Sequence, residues 1–320
     1  MRLDNKDRKI LGLLAENSRM PYTQLAKKLR SERNAVKYRV NKLVKNGVIR
    51  AFETELDFHK LGYKEYLCYM GFYKFDNITK NKIIDFLKNH DFIKWIGECF
   101  GKYQIKIRLS AVDEEHLYKI LSELEKNCSL SIRRKTVLQI TGFVKQRNES
   151  LFSSARIKKP QKDLKIKLDK KDLLILRKLC ENNRETLISF FDQTKLSPEA
   201  VRLRIKKLEK AGVIAGHTIN INHKALGIVM WGNMLVKFKD PKKVLSKLKE
   251  FALQKKSIGR SFALFGEWNA ELGFAAENTD VLHDLVGEFL TKFSTELVDY
   301  EIVFNQEAHK FPPTPMGVFK

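Results

Sequence analysis

The chain has 320 residues, 43% of them apolar, and 61 Lys and Arg against 38 Asp and Glu leave a formal charge of +23. That length suits about two to four domains, and that charge favours a polyanionic partner over a neutral or acidic one. A membrane span, a secretory leader and a metal or disulfide framework are all disfavoured: no charge-free apolar run nears ~18 residues, residues 1–7 lack an apolar stretch, and Cys68, Cys99, Cys128 and Cys180 lie far apart without a C-x-x-C spacing. A cytoplasmic protein with reduced thiols, no cofactor and no metal is expected.

In chain order, Ile10, Leu11, Leu13 and Leu14 mark the apolar face of a first helix, with Asp4 placed to cap it. A second helix follows Pro21 and buries Leu25, Ala26 and Leu29; a third turns Ala35, Val36, Val40 and Leu43 inward and stops at Asn46-Gly47. Val48 to Leu56 then alternates like a short two-stranded wing. Beyond it the pattern predicts a strand (66–75), a helix (78–89), a strand (92–100), a turn at Gly101, a strand (103–111), a helix (113–127) and a strand (131–144). This βαββαβ order is ferredoxin-like.

The whole arrangement then repeats. Residues 3–62 and 168–227 align without a gap at a constant offset of 165, with 21 identities in 60 positions. Ser197-Pro198 starts the third helix of the second copy and Ala211-Gly212 ends it. The βαββαβ pattern recurs as 230–239, 241–252, 257–265, a turn at Gly266, 269–276, 279–293 and 297–305. The expected organisation is α+β: winged helix-turn-helix domains at 1–62 and 168–227, ferredoxin-like domains at 63–147 and 228–308, a basic linker at 148–167 and an irregular tail at 309–320.

Leu3-Asp4-Asn5-Lys6-Asp7, Ala35-Val36-Lys37-Tyr38-Arg39 and Gly47-Val48-Ile49, with second versions beginning at Leu168, Ala200 and Gly212, give the chain its resemblance to the leucine-responsive regulatory protein/AsnC family. The resemblance covers nearly everything except linker and tail. It implies DNA-binding transcription regulation, pairing through the second domain and, often, amino-acid sensing. Relatives usually carry one copy per chain. Two covalent copies therefore imply an intrachain pseudo-dimer, with the sheets packed together and the winged helices projecting outward.

With Val36, Val40 and Leu43 inward, Asn34, Lys37 and Asn41 share the opposite face of the third helix. Glu199, Arg202 and Lys206 do so in the second copy. Asn suits adenine, Arg or Lys suits guanine, and Glu accepts from cytosine in the major groove. Arg33, Tyr38, Arg39, Lys42, Arg204 and Lys207, with Arg50 in the first wing, are placed for phosphates. The unlike faces imply an asymmetric site on double-stranded DNA. Phe190-Phe191, where the first copy has Leu25-Ala26, points to a bulkier second helix in copy two.

In the resembled family, effectors sit near a G-x-aromatic-D hairpin. The corresponding candidate effector-binding residues here are Gly101, Tyr103 and Gln104, and Gly266, Trp268 and Asn269. The carboxylate is replaced by an amide in both, and an amide cannot pair with an α-ammonium in the same way. A small-molecule effector other than an amino acid, or none, is the expectation. Two rival functions use the same features: a nucleoid-associated, largely non-specific DNA binder, favoured by the charge, and an enzyme similar to the sirohaem decarboxylases. The latter needs His and Arg converging on a tetrapyrrole carboxylate. Only His59 and His223 fall close between the copies, one position out of register.

Overall fold

The protein is described by a computed structural model over residues 3–128, 132–146, 166–310 and 315–319. The first copy contains α1 (Asn5–Glu16), α2 (Tyr22–Leu29), α3 (Arg33–Lys45) and β1 (Ile49–Leu56). It continues through β2 (Lys64–Phe72), α4 (Asn77–Asn89), β3 (Ile93–Phe100), β4 (Ile105–Ala111), α5 (Glu114–Cys128) and β5 (Ile132–Lys145). The second copy contains α6 (Lys170–Glu181), α7 (Phe191–Thr194), α8 (Pro198–Lys210) and β6 (Ile214–Ile221). It ends with β7 (Met230–Phe238), α9 (Pro241–Gln254), β8 (Ile258–Phe265), β9 (Ala270–Ala276), α10 (Thr279–Lys292) and β10 (Leu297–Ala308). One compact unit gathers the described residues of 1–62, 152–226 and 311–320; the other gathers those of 63–151 and 227–310.

In the first unit both copies begin on a reciprocal cap. Asp4 accepts from the Asp7 amide at 2.8 Å while Asp7 accepts from the Asp4 amide at 3.3 Å, and Asp169 and Asp172 do the same. These bonds satisfy two of the donors that every helix start leaves open. Ile10, Leu11 and Leu14 are buried together with Val36, Val40 and Leu43, as are Ile175, Leu176 and Leu179 with Val201, Ile205 and Leu208. Ala35, expected inside, is exposed. Its position is one step round from Val36, on the side of α3 that no helix covers. In copy two the second helix shortens to a 3-10 turn (Leu187–Phe190) running into the single turn of α7, and Phe190 is fully buried while Phe191 is half exposed.

The expected two-stranded wings do not form. Each copy supplies one strand, and β1 and β6 pair antiparallel with each other, in register at Phe52–Ile219, Glu53–Thr218 and Thr54–His217. The backbone groups that a hairpin would satisfy within one wing are satisfied by the other copy. The two winged helices are thus paired directly. Arg19 donates to the Asn183 carbonyl and Arg184 to the Ser18 carbonyl, both at 2.5 Å. Arg19 and Arg184 occupy the same repeat position, so the contact is reciprocal, as in a two-fold symmetric dimer.

The second unit is a closed antiparallel barrel in the order β10-β3-β4-β2-β5-β8-β9-β7. Each half keeps the ferredoxin-like order, and the halves join by two equivalent seams. β5 meets β8 at Ile140–Leu264, and β10 meets β3 at Asn305–Cys99, the same pair of repeat positions. The expected sheet packing is therefore edge-to-edge closure. Helices α4 and α5 cover the outside of one half through Ile83, Leu87, Ile120 and Leu124, and α9 and α10 cover the other through Leu248, Phe251, Phe289 and Phe293. Leu67, Tyr103, Leu138, Leu235, Phe262, Trp268 and Val303 form a separate core. β2 is buried on both faces and reads as an apolar run from Tyr66 to Phe72, whereas β4 alternates Ile105, Ile107 and Leu109 with Lys106, Arg108 and Ser110 although it too is covered on both faces.

The linker expected at 148–167 lies almost wholly outside the described residues. Of the tail expected to be irregular, Met316–Phe319 forms a 3-10 turn with Gly317, Val318 and Phe319 buried. No helix among the described residues is long and apolar enough to cross a membrane.

Candidate nucleic-acid interface

The recognition surface follows from which side of α3 and α8 is buried. With Val36, Val40 and Leu43 inward, Asn34, Lys37 and Asn41 stand exposed on one side of α3, flanked by Arg33, Tyr38 and Lys42. No hydrogen bond or ion pair engages the side chains of Asn34, Lys37 or Asn41 among the described residues. The second copy exposes Glu199, Arg202, Lys206 and Lys207 on α8 in the same way. Arg50, the second residue of β1, is also exposed.

Glu199 and Arg202 do not stand alone. The guanidinium meets the carboxylate through Nη2–Oε1 at 2.7 Å and Nε–Oε2 at 2.9 Å. This bond holds the Glu199 carboxyl below its ordinary range and raises the Arg202 guanidinium. Both side chains are more than half exposed. A surface pair of this kind is worth little and opens readily.

Arg39 and Arg204, expected on phosphates, are engaged within the protein. Arg39 Nη1 binds Asp4 Oδ2 at 2.7 Å and Asp7 Oδ1 at 2.8 Å. Arg204 binds Asp169 Oδ2 at 2.8 Å and Asp172 Oδ1 at 2.7 Å. Each arginine, through Nη1, ties the third helix of its copy to the capping box that starts the first helix. The spacing was legible in both copies as L-D-x-x-D followed by A-V-x-x-R; only the pairing was not.

The turn between second and third helices holds a feature that sequence reasoning missed. Arg30 and Lys195, the same repeat position, adopt left-handed backbone with φ of +47° and +54°. These angles are costly for residues with a Cβ, and no glycine marked the site.

The two effector hairpins are closed by their own amides. Gln104 accepts from the Phe72 amide at 2.9 Å and donates to the Gly101 carbonyl at 2.7 Å. Asn269 accepts from the Phe238 amide at 2.7 Å. Tyr103 and Trp268 are buried in the inner core, and the Tyr103 hydroxyl lies 3.0 Å from Thr136 Oγ1. Gly101 and Gly266 take φ of +106° and +137°, and a Cβ at Gly266 would come within 2.9 Å of Leu138 Cδ2. The amides that replace the carboxylate therefore serve strand ends.

These features define a winged helix-turn-helix protein with ferredoxin-like second domains. A winged helix-turn-helix DNA-binding model matches at residues 3–50 and again at 168–215. An uncharacterised HTH-type transcriptional regulator of Pyrococcus furiosus is 36% identical over 126 residues, 39% of this chain and 79% of that protein. The leucine-responsive regulatory protein of Rhizobium meliloti is 32% identical over 139 residues, 42% of this chain and 86% of that one. The chain belongs to the leucine-responsive regulatory protein/AsnC family, as a tandem duplication, and is a DNA-binding transcription regulator. Its fold over both copies is shared with the siroheme decarboxylase NirDL: TM-score 0.65, 14% identity, 96% of this chain and 92% of that one.

Proposed function

We propose that the chain is a sequence-specific regulator whose two unlike recognition helices read two unlike half-sites of double-stranded DNA. The observation that carries this reading is the contrast between frame and face. The caps and clamps of the two heads match position for position, and the buried faces of their first and third helices match closely, while Asn34, Lys37 and Asn41 in one are replaced by Glu199, Arg202 and Lys206 in the other. A homodimer imposes its symmetry on its operator; a chain with both heads covalently joined does not. Arg33, Tyr38, Lys42, Lys207 and Arg50 position the heads on phosphates, and Arg39 and Arg204 hold the helices that read. The hairpin amides are bonded to backbone, which supports regulation without an amino-acid effector.

Selection from random duplex DNA tests the reading. The enriched sites should hold two dissimilar half-sites about one helical turn or a multiple apart, and Arg202→Ala should relax selection in one of them. A palindromic consensus, or a loss shared by both halves, would overturn it. Genome-wide occupancy separates it from the nucleoid-coating alternative, which gives a smooth coat instead of discrete peaks.

The fold shared with NirDL gives the enzymatic alternative its motive. Against it, His59 is exposed, while the His223 imidazole is pushed down to about 4 by its desolvated surroundings and then by the Arg50 charge. A Soret band in the purified protein would favour the enzyme.

A further inference from the structure

The second unit buries an ion pair between residues that are the same position of the repeat. Lys106 on β4 and Glu271 on β9 are 165 apart, the repeat offset, and Lys106 Nζ lies 2.8 Å from Glu271 Oε1. Both are buried. Contact between equivalent positions occurs only at the pseudo-two-fold axis, so each copy places a charge where it must face its counterpart. The surroundings are one-sided. Tyr69 donates to Glu271, and Asn233 accepts from Lys106 at 2.9 Å and donates to Glu271 at 3.2 Å. In the pairing of β2 with β4 and of β7 with β9, the positions equivalent to Tyr69 and Asn233 are Leu235 and Leu67.

The first unit repeats the logic at its own axis. Glu53 faces Thr218 in the β1–β6 register, and these too are equivalent positions.

From these pairs we propose that the surface each half presents to the other is matched to the unlike half and rejects a second copy of itself. Pairing of two first halves would put Lys106 on Lys106 in one unit and Glu53 directly opposite Glu53 in the other. Pairing of two second halves would put Glu271 on Glu271. A buried like-charge pair has no partner to offset its desolvation, and like charges directly opposite on neighbouring strands destabilise a sheet. Repulsion against the wrong partner is how a specific interface discriminates. The kind of partner that fits is therefore the other half of the same chain or, by exchange, the other half of a second chain, and never the like half.

The test uses the full chain. Lys106→Glu and Glu271→Lys, made singly, should each lower the thermal unfolding midpoint by roughly 10 °C or more. The double exchange Lys106→Glu/Glu271→Lys should recover most of that loss. Where the single variants do not fold alone, co-expression keeps the test informative. A Lys106→Glu chain and a Glu271→Lys chain carrying different affinity tags should co-purify one to one as an exchanged dimer, because every Glu then meets a Lys. Wild-type chains should not co-purify, since the intrachain partner is at high effective concentration. Recovery in neither the double exchange nor the mixture overturns the proposal, as does equal co-purification of wild-type chains.

Discussion

Asn183 donates its side-chain amide to the Ser18 hydroxyl at 2.7 Å, and Ser18 and Asn183 are one and the same position of the duplicated sequence. The same Asn183 nitrogen reaches the Glu53 carbonyl at 2.5 Å, so one side chain bridges both copies and the strand between them. Replacing Asn183 by Ala leaves a buried hydroxyl and a buried carbonyl without their donor. The paired heads should lose about 1–3 kcal/mol, read as a lower urea midpoint, whereas Asn17→Ala on the exposed surface should change it little.

Acid should weaken the helix starts. The amide of Asp7 and then the Arg39 guanidinium hold the Asp4 carboxyl below its usual 3.8, Asp172 and Arg204 do the same for Asp169, and the Thr79 amide and hydroxyl hold Asp76 at about 2. A carboxyl depressed in the folded chain contributes its stability above the unfolded value and loses it as pH falls through the folded one. The thermal midpoint should therefore be flat in these groups above about pH 5 and fall from about pH 4 toward 2. Arg39→Ala should flatten part of that fall. A midpoint with the same slope in wild type and variant would contradict the clamp.

DNA affinity should drop steeply with salt, by about 0.9 in log affinity per log salt for each phosphate contacted. Lys42→Ala should reduce that slope, while Lys37→Ala should weaken specific duplexes more than random ones. Fluorescence anisotropy across a salt series checks both. An affinity that ignores salt would remove phosphate contact from the account.

The left-handed residues offer a gain. Arg30→Gly and Lys195→Gly should each stabilise the chain by about 0.5–1 kcal/mol, because glycine adopts these angles without a Cβ clash. Arg30→Ala should give no gain. Denaturant melts of the three variants decide it.

Much of this architecture was legible in the sequence because its signals are local. The Asp4 cap, the apolar faces of α1 and α3 and the βαββαβ order each depend on residues within a few positions of one another. Element ends moved by one to three residues where strands stopped early, as β2 does at Phe72 instead of running to residue 75. What was missed is pairing at a distance. Val48 to Leu56 looked like half a hairpin folded on itself, since alternation gives the face of a strand and says nothing about which strand lies beside it. The charge of Arg39 is visible in sequence, while its partners, 32 and 35 residues away, are not. Gln104 and Asn269 were visible as departures from a family pattern. Their bonds to the Phe72 and Phe238 amides supply the reason.

The reciprocal seams of the barrel set a timetable for synthesis. When β5 leaves the ribosome, the edges of β3 and β5 are both open, and the strands that close them, β10 and β8, have not been made. Open strand edges and an uncovered apolar face invite pairing with other chains. A nascent first copy therefore waits through some 110 to 160 residues of translation before its edges are sealed. Stalling or truncation between the copies should leave an aggregation-prone fragment, and that makes the intact second copy a condition for the solubility of the first.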